Sequence, residues 1–172
     1  AGPVFAAAVI LPENYSHEIL NDSKKLSEKK RDLVYDDIIK DAVAYSVGIA
    51  TEKEIDDINI LNATFLAMRR AVDGLSIKPD YALIDGNQHP KLSIPDETVV
   101  KGDAKSSSIA AASILAKVTR DRLCIELDAE YPMYGIAKHK GYGTKDHMEA
   151  LRKYGPAPIH RTKFIRFLNE DK

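Results

Sequence analysis

With 172 residues, 44% of them apolar and 30% charged, the chain has the make-up of one ordinary globular domain that is long enough to bury a core. No apolar run nears the roughly 20 residues of a membrane span. A single cysteine, Cys124, excludes an internal disulfide and fits a reducing cytoplasm. The net charge of −1 hides an asymmetry: Pro132 to Lys172 holds nine Lys/Arg against four Asp/Glu, or +5, and the remainder stands at −6. Such a basic C-terminal portion suits one face to phosphates, or else it merely solvates an outer helix.

In chain order, Ala1 to Leu11 is apolar with no basic lead, and Pro12 ends it. It reads as a buried strand from Val4, not as a signal peptide. Ser27 can cap a helix from Glu28 to about Asp41, with Leu33, Val34 and Ile38 at helical spacing. Tyr45 to Ala50 alternates like a strand. Thr51 and Glu54 have the form of a capping box, and a helix is expected from about Leu61 to Val72, closed by Gly74. Tyr81 to Ile84 and Thr98 to Val100 are short β-like runs. Ala104 to Tyr131 contains neither Gly nor Pro and reads as the longest helix, with Ala110, Ala111 and Ala112 allowing close approach to a sheet. Thr144 opens a last helix that stops at Gly155 and Pro156. Strands followed by helices predict an α/β layer fold.

Two aspartates fall where β-like runs stop. Asp85 follows Ile84 and precedes the turn signal Gly86-Asn87; Asp103 follows Gly102 just beyond Val100. Carboxylates fixed at a sheet edge are a common way to hold a divalent cation, because Mg²⁺ takes rigid oxygen ligands. On spacing alone, the reading of both as turn or cap residues is the stronger one. Tyr142 lies between Gly141 and Gly143, a backbone permissive enough to bring a ring close to a ligand, although a loop tyrosine packed on a helix has the same pattern. Lys24, Lys25, Lys117, Arg120, Lys140, Arg161 and Lys163 are candidate phosphate contacts, with Ser23 and Thr119 as short hydroxyl donors. His139, His147 and His160 lack zinc spacing.

Five segments together resemble bacterial ribonuclease HII, and they stand in that family's order. They are Asn21-Asp22-Ser23-Lys24-Lys25-Leu26-Ser27, Leu83-Ile84-Asp85-Gly86-Asn87, Val100-Lys101-Gly102-Asp103, Ala111 to Asp121, and His139-Lys140-Gly141-Tyr142-Gly143-Thr144. The resemblance implies a ribonuclease H-like fold, a mixed five-stranded sheet with helices on both faces. It also implies cleavage of RNA in RNA–DNA hybrids, and at ribonucleotides embedded in duplex DNA, leaving 5′-phosphate and 3′-hydroxyl ends. Asp85 and Asp103 match the third and fourth of four family carboxylates that hold two Mg²⁺ or Mn²⁺ ions, and Tyr142 matches the residue that senses the ribonucleotide sugar. The work implied is primer removal or ribonucleotide repair, by a cytoplasmic protein that is monomeric when complete.

The family pattern opens with an Asp-Glu strand and a Gly-Arg-Gly loop ahead of a segment like Ala1 to Leu11; the given sequence starts after them. Residues 1 to 172 alone are therefore expected to be catalytically silent, less stable without that central strand, and in doubt as a reader of junctions. The rival expectation is a nucleic-acid-binding α/β domain that does not cleave.

Overall fold

The structure, a computed structural model, describes residues 1–20 and 25–170. Four strands and six helices follow in the order β1 (Val4–Ile10), α1 (Glu28–Asp41), β2 (Ala44–Ala50), α2 (Glu52–Asp73), β3 (Ala82–Asp85), β4 (Asp96–Val99), α3 (Ser107–Glu130), α4 (Ile136–His139), α5 (Lys145–Tyr154) and α6 (Phe167–Glu170). Strand β1 pairs with β2, and β3 pairs in parallel with β4, Asp85 opposite Val99. The mixed α/β class is as expected. The five-stranded sheet implied by the resemblance needs one further strand beside these two pairs.

Local chemistry accounts for the ends of the elements. Ser27 Oγ accepts the Lys30 N–H at 3.3 Å and starts α1, and Val34 and Ile38, one turn apart, are its buried positions. The Thr51–Glu54 capping box forms in both directions: Glu54 Oε2 accepts the Thr51 N–H at 2.9 Å, and Thr51 Oγ1 accepts the Glu54 N–H at 3.2 Å.

The helix expected from about Leu61 is the second of two helical pieces that α2 joins at a kink, the first beginning at Glu52 behind the capping box. Asn59 sits there with φ 70°, and its Oδ1 accepts the Asn62 N–H at 3.0 Å, so one asparagine breaks the first piece and caps the second. Helix α3 begins at Ser107, later than Ala104, because Gly102–Ala104 form a 3₁₀ turn ahead of it. Pro132–Tyr134, a second 3₁₀ turn, and the short α4 follow it; neither has a periodic signal long enough to read.

The chain divides into two compact units, each with its own core. Residues 5–49 and 64–118 form one. Its core gathers Leu20, Val34, Ile38, Ala110, Ala111, Ile114, Leu115 and Val118, with Ala7 and Val9 of β1 packed against it. Each fully buried Leu, Ile or Val side chain here contributes roughly 1.5–3 kcal/mol. Gly48 of β2 lies against the backbone of α2, where a Cβ would clash with the Ala67 carbonyl oxygen and stand 2.5 Å from the Ala71 nitrogen. The other unit comprises residues 1–4, 50–63 and everything from Thr119 onward. Its core is Cys124, Tyr134, Ile136, Leu151 and Ile159, ringed by Leu127, Phe164 and neighbours. No described helix is long and apolar enough to cross a membrane.

Candidate active site

Asp85 ends β3, where pairing with β4 fixes the backbone: Gly86 N–H donates to Val99 O at 3.1 Å. The Asp85 side chain reaches across to the turn after β4, and its Oδ1 accepts the Gly102 N–H at 3.0 Å. Asp103 is the next residue and is only 8% exposed. Lys101, in the left-handed region at φ 54°, swings the chain into the 3₁₀ turn that carries Asp103. Gly102 is needed for space: a Cβ there would stand 2.6 Å from Ile109 Cδ1 and 3.4 Å from Asp85 Oδ1. The structure thus brings the Asp85 side chain, exposed at a strand end, onto the backbone of the residue preceding Asp103, which is buried in the adjoining turn.

Both are hard oxygen donors, and such a pair fits Mg²⁺ or Mn²⁺, not a metal that prefers imidazole or thiolate. Among the described residues no group of three or more His, Cys, Asp or Glu is gathered for a metal. The pair therefore fits as part of a donor set.

Tyr142 belongs to the other unit and is 62% exposed. Its hydroxyl accepts from Arg120 Nη1 at 2.9 Å, and the guanidinium carbon stands 5.6 Å from the ring centroid. Arg120 in turn donates Nε and Nη2 to Oδ1 of buried Asp121, at 3.2 and 2.8 Å. Burial penalises the Arg120 charge, but the hydrogen bonds to Asp121 and Tyr142 outweigh it and hold the pKa above its ordinary value. Arginine has no acceptor, so the tyrosine oxygen takes the acceptor role and its own proton is directed elsewhere. Tyr142 therefore presents an exposed ring and a hydrogen-bond donor. Asp121, which orients Arg120, has no role assigned from sequence; its signals there are the adjacent Arg-Asp pair and its place at the end of the Ala111 to Asp121 segment.

The remaining candidates are dispersed. Ser23 and Lys24 lie outside the described residues. Lys25 and Lys117 are exposed, Thr119 is half-buried, and Lys140 is half-buried at φ 54° with its N–H on Ile136 O at 2.7 Å. Arg161 is engaged internally, with Nε and Nη2 both donating to the Gly2 carbonyl at 2.9 and 2.8 Å. Lys163 is exposed.

Three histidines without zinc spacing are nevertheless together, all buried. The His139 and His147 rings stack at 4.2 Å, and His147 Nε2 stands 3.0 Å from His160 Nε2. Backbone partners settle the protons. His160 Nδ1 lies 2.9 Å from the Ala157 N–H and 3.2 Å from the Ala157 carbonyl. The Tyr142 carbonyl requires a hydrogen on His147 Nδ1 and leaves His147 Nε2 to accept, so His160 carries its hydrogen on Nε2 and accepts the Ala157 N–H on Nδ1. His160 Nε2–H then donates to His147 Nε2, and His147 Nδ1–H donates to the Tyr142 carbonyl at 2.8 Å. His139 accepts the Gly141 N–H on Nδ1 at 3.2 Å and donates Nε2–H to the Tyr134 carbonyl at 2.7 Å. Every ring nitrogen has a partner, so none is left open to a metal. Desolvation lowers the His147 pKa to about 4 and lowers that of His160 as well.

A family model described as ribonuclease HII matches residues 1–167. The chain is 54% identical over 166 residues to a ribonuclease HII of Caldicellulosiruptor bescii, covering 96% of this chain and 81% of that protein. It is 56% identical over 166 residues to the ribonuclease HII of Acetivibrio thermocellus, covering 96% of this chain but 65% of that one. Among solved structures, the ribonuclease H2 of Pyrococcus horikoshii matches with a TM-score of 0.76 at 26% identity, over 98% of both chains.

Proposed function

The chain belongs to the ribonuclease HII family, and from that premise we propose that its protein cuts RNA in RNA–DNA hybrids and at single ribonucleotides embedded in duplex DNA. The reaction is phosphodiester hydrolysis leaving 5′-phosphate and 3′-hydroxyl ends. The observation that carries this reading is the junction of β3 with the turn after β4, where the Asp85 carboxylate is tied to the backbone of the residue preceding buried Asp103. Asp85 and Asp103 would hold Mg²⁺ or Mn²⁺ as members of a four-carboxylate, two-ion site. The chemistry a divalent cation supplies in such a site is polarisation of water and of the departing 3′-oxygen.

The chain's own residues do the rest. Asp85 is held by Gly102 N–H at one oxygen, which leaves the other oxygen free to turn outward from the strand end. Tyr142 offers its ring to a sugar and its hydroxyl proton to an oxygen acceptor such as the ribose 2′-OH, the group that distinguishes RNA from DNA. Lys24, Lys25, Lys117, Arg120 and Lys140 are read as phosphate contacts, with Ser23 and Thr119 as short hydroxyl donors to backbone oxygens.

The test is to incubate the full-length protein with a DNA duplex carrying one ribonucleotide, with Mg²⁺, Mn²⁺ or EDTA, and to map the products. Cleavage at the ribonucleotide only with metal, leaving a 5′-phosphate, is expected. Binding without cleavage under every metal condition would instead favour the non-cleaving nucleic-acid-binding domain.

A further inference from the structure

The segment that presents Tyr142 is tied locally, Tyr142 N–H donating to the His139 carbonyl at 3.0 Å and Thr144 N–H to the Tyr142 carbonyl at 2.9 Å, but its backbone is an unusual one. Lys140 and Gly141 both have positive φ, 54° and 80°, and Gly143 follows. To these ties, and to the Ala1 amine that donates to the Gly141 carbonyl at 2.7 Å, the histidine cluster adds side-chain bonds on both sides of the tyrosine. His139 accepts the Gly141 N–H, and His147 donates to the Tyr142 carbonyl. Behind His147 stands His160, its own tautomer set by the accepting His147 Nε2 and its Nδ1 on the Ala157 N–H.

A purely structural core would not need this. Leu or Phe fills comparable volume without the cost of burying ring nitrogens. Here the donors and acceptors close without conflict in a single direction, from Ala157 through two rings to the carbonyl of the residue that meets the substrate. A proton added to His147 Nε2 would face the His160 N–H.

We propose that His147 and His160 are positioning residues for Tyr142, a two-ring relay that fixes the loop in the pose in which the tyrosine reads the ribonucleotide sugar. The pair touches no substrate. It sets discrimination between ribose and deoxyribose through the Tyr142 backbone, and this rests on the reading of Tyr142 as the residue that contacts the sugar. Arg120 orients the hydroxyl of the same tyrosine independently of the relay.

The test uses the full-length protein with His147→Leu, His147→Asn, Tyr142→Ala and the double variant Tyr142→Ala/His147→Leu. The readouts are kcat and KM on a single-ribonucleotide duplex, affinity for the all-DNA duplex of the same sequence, and the urea midpoint. His147→Leu should lower kcat/KM on the ribonucleotide duplex by roughly ten- to a hundredfold, the scale of a small misplacement at a reactive site. Affinity for the all-DNA duplex should stay within about twofold, since phosphate contacts are spread elsewhere. In His147→Asn the amide nitrogen occupies the Nδ1 position and can still donate to the Tyr142 carbonyl, so most of the loss should be recovered. With Tyr142→Ala already present, His147→Leu should add little.

A full additional loss in the double variant overturns the proposal, as does a His147→Asn variant no better than His147→Leu. If Tyr142→Ala lowers ribonucleotide selectivity but His147→Leu does not, the relay falls and the reading of Tyr142 stands. If Tyr142→Ala itself leaves selectivity intact, both fall. Should His147→Leu fail to fold, His160→Gln, which keeps a donor toward His147, against His160→Leu puts the same question.

Discussion

Acidification should destabilise this protein through His147, and the amount follows from that ring's burial. Its pKa is about 4 in the folded state against 6.5 for an exposed histidine, because desolvation disfavours the charged ring and every nitrogen is already in use. Above the unfolded value the ring is neutral in both states and the full stability is present. As the pH falls through 6.5 toward about 4, the unfolded chain takes up a proton that the folded ring refuses, and stability is lost across that window. Linkage for this one group gives a loss of about 2 kcal/mol between about pH 7 and about pH 5. His160, shifted in the same direction, adds to it. Urea unfolding of the parent and of His147→Leu at the two pH values isolates the term. The variant is less stable at both, but its loss on acidification should be smaller than the parent's by about 2 kcal/mol. Equal losses in the two proteins would refute the assignment of a neutral, proton-refusing His147.

Other changes have equally definite outcomes. Gly48→Ala drives a methyl into the α2 backbone at Ala67 and Ala71, and should cost about 3 kcal/mol in urea unfolding. Asn59→Gly should change stability by only about a few tenths of a kcal/mol, because glycine accepts the left-handed φ, whereas Asn59→Val loses both the cap and the allowed backbone and should cost about 2 kcal/mol by the same measurement. Gly102→Ala crowds Ile109 and the Asp85 oxygen, so cleavage of a hybrid should fall by roughly tenfold or more, a larger effect than its shift in unfolding midpoint suggests.

The parts of the fold that were legible in the sequence are those fixed by short-range chemistry. The Ser27 cap, the Thr51–Glu54 box and the Thr144 cap all form, with Thr144 Oγ1 accepting the His147 N–H at 3.3 Å. So do the strand ends at Asp85 and before Gly102, since each is a turn signal following a β-branched or apolar run. The second piece of α2 was legible from about Leu61, but the first was read only as far as its capping box, and the left-handed φ of Asn59 that joins the two has no sequence signal of its own.

For the site, strand ends picked out Asp85 and Asp103 and only the resemblance gave them a metal role; the contact of Asp85 with the residue before Asp103 was not legible. It depends on the Asp85 side chain bonding the Gly102 N–H across a parallel pair. The histidine cluster was harder still. Spacing rules test for metal ligands, and these rings bond backbone groups and one another across loop and helix, a pattern with no fixed sequence period.

The carboxylate pair is tested most directly by the rate at which full-length Asp85→Asn cuts the RNA strand of an RNA–DNA hybrid in Mg²⁺, measured beside the parent. The substitution keeps the side chain's shape and an oxygen for the Gly102 N–H while removing the charge a cation needs. The rate should fall by about a hundredfold or more, with the urea midpoint and hybrid affinity in EDTA close to the parent's. A folded Asp85→Asn protein that cuts at a near-parental rate would contradict the assignment of Asp85 to the catalytic metal site.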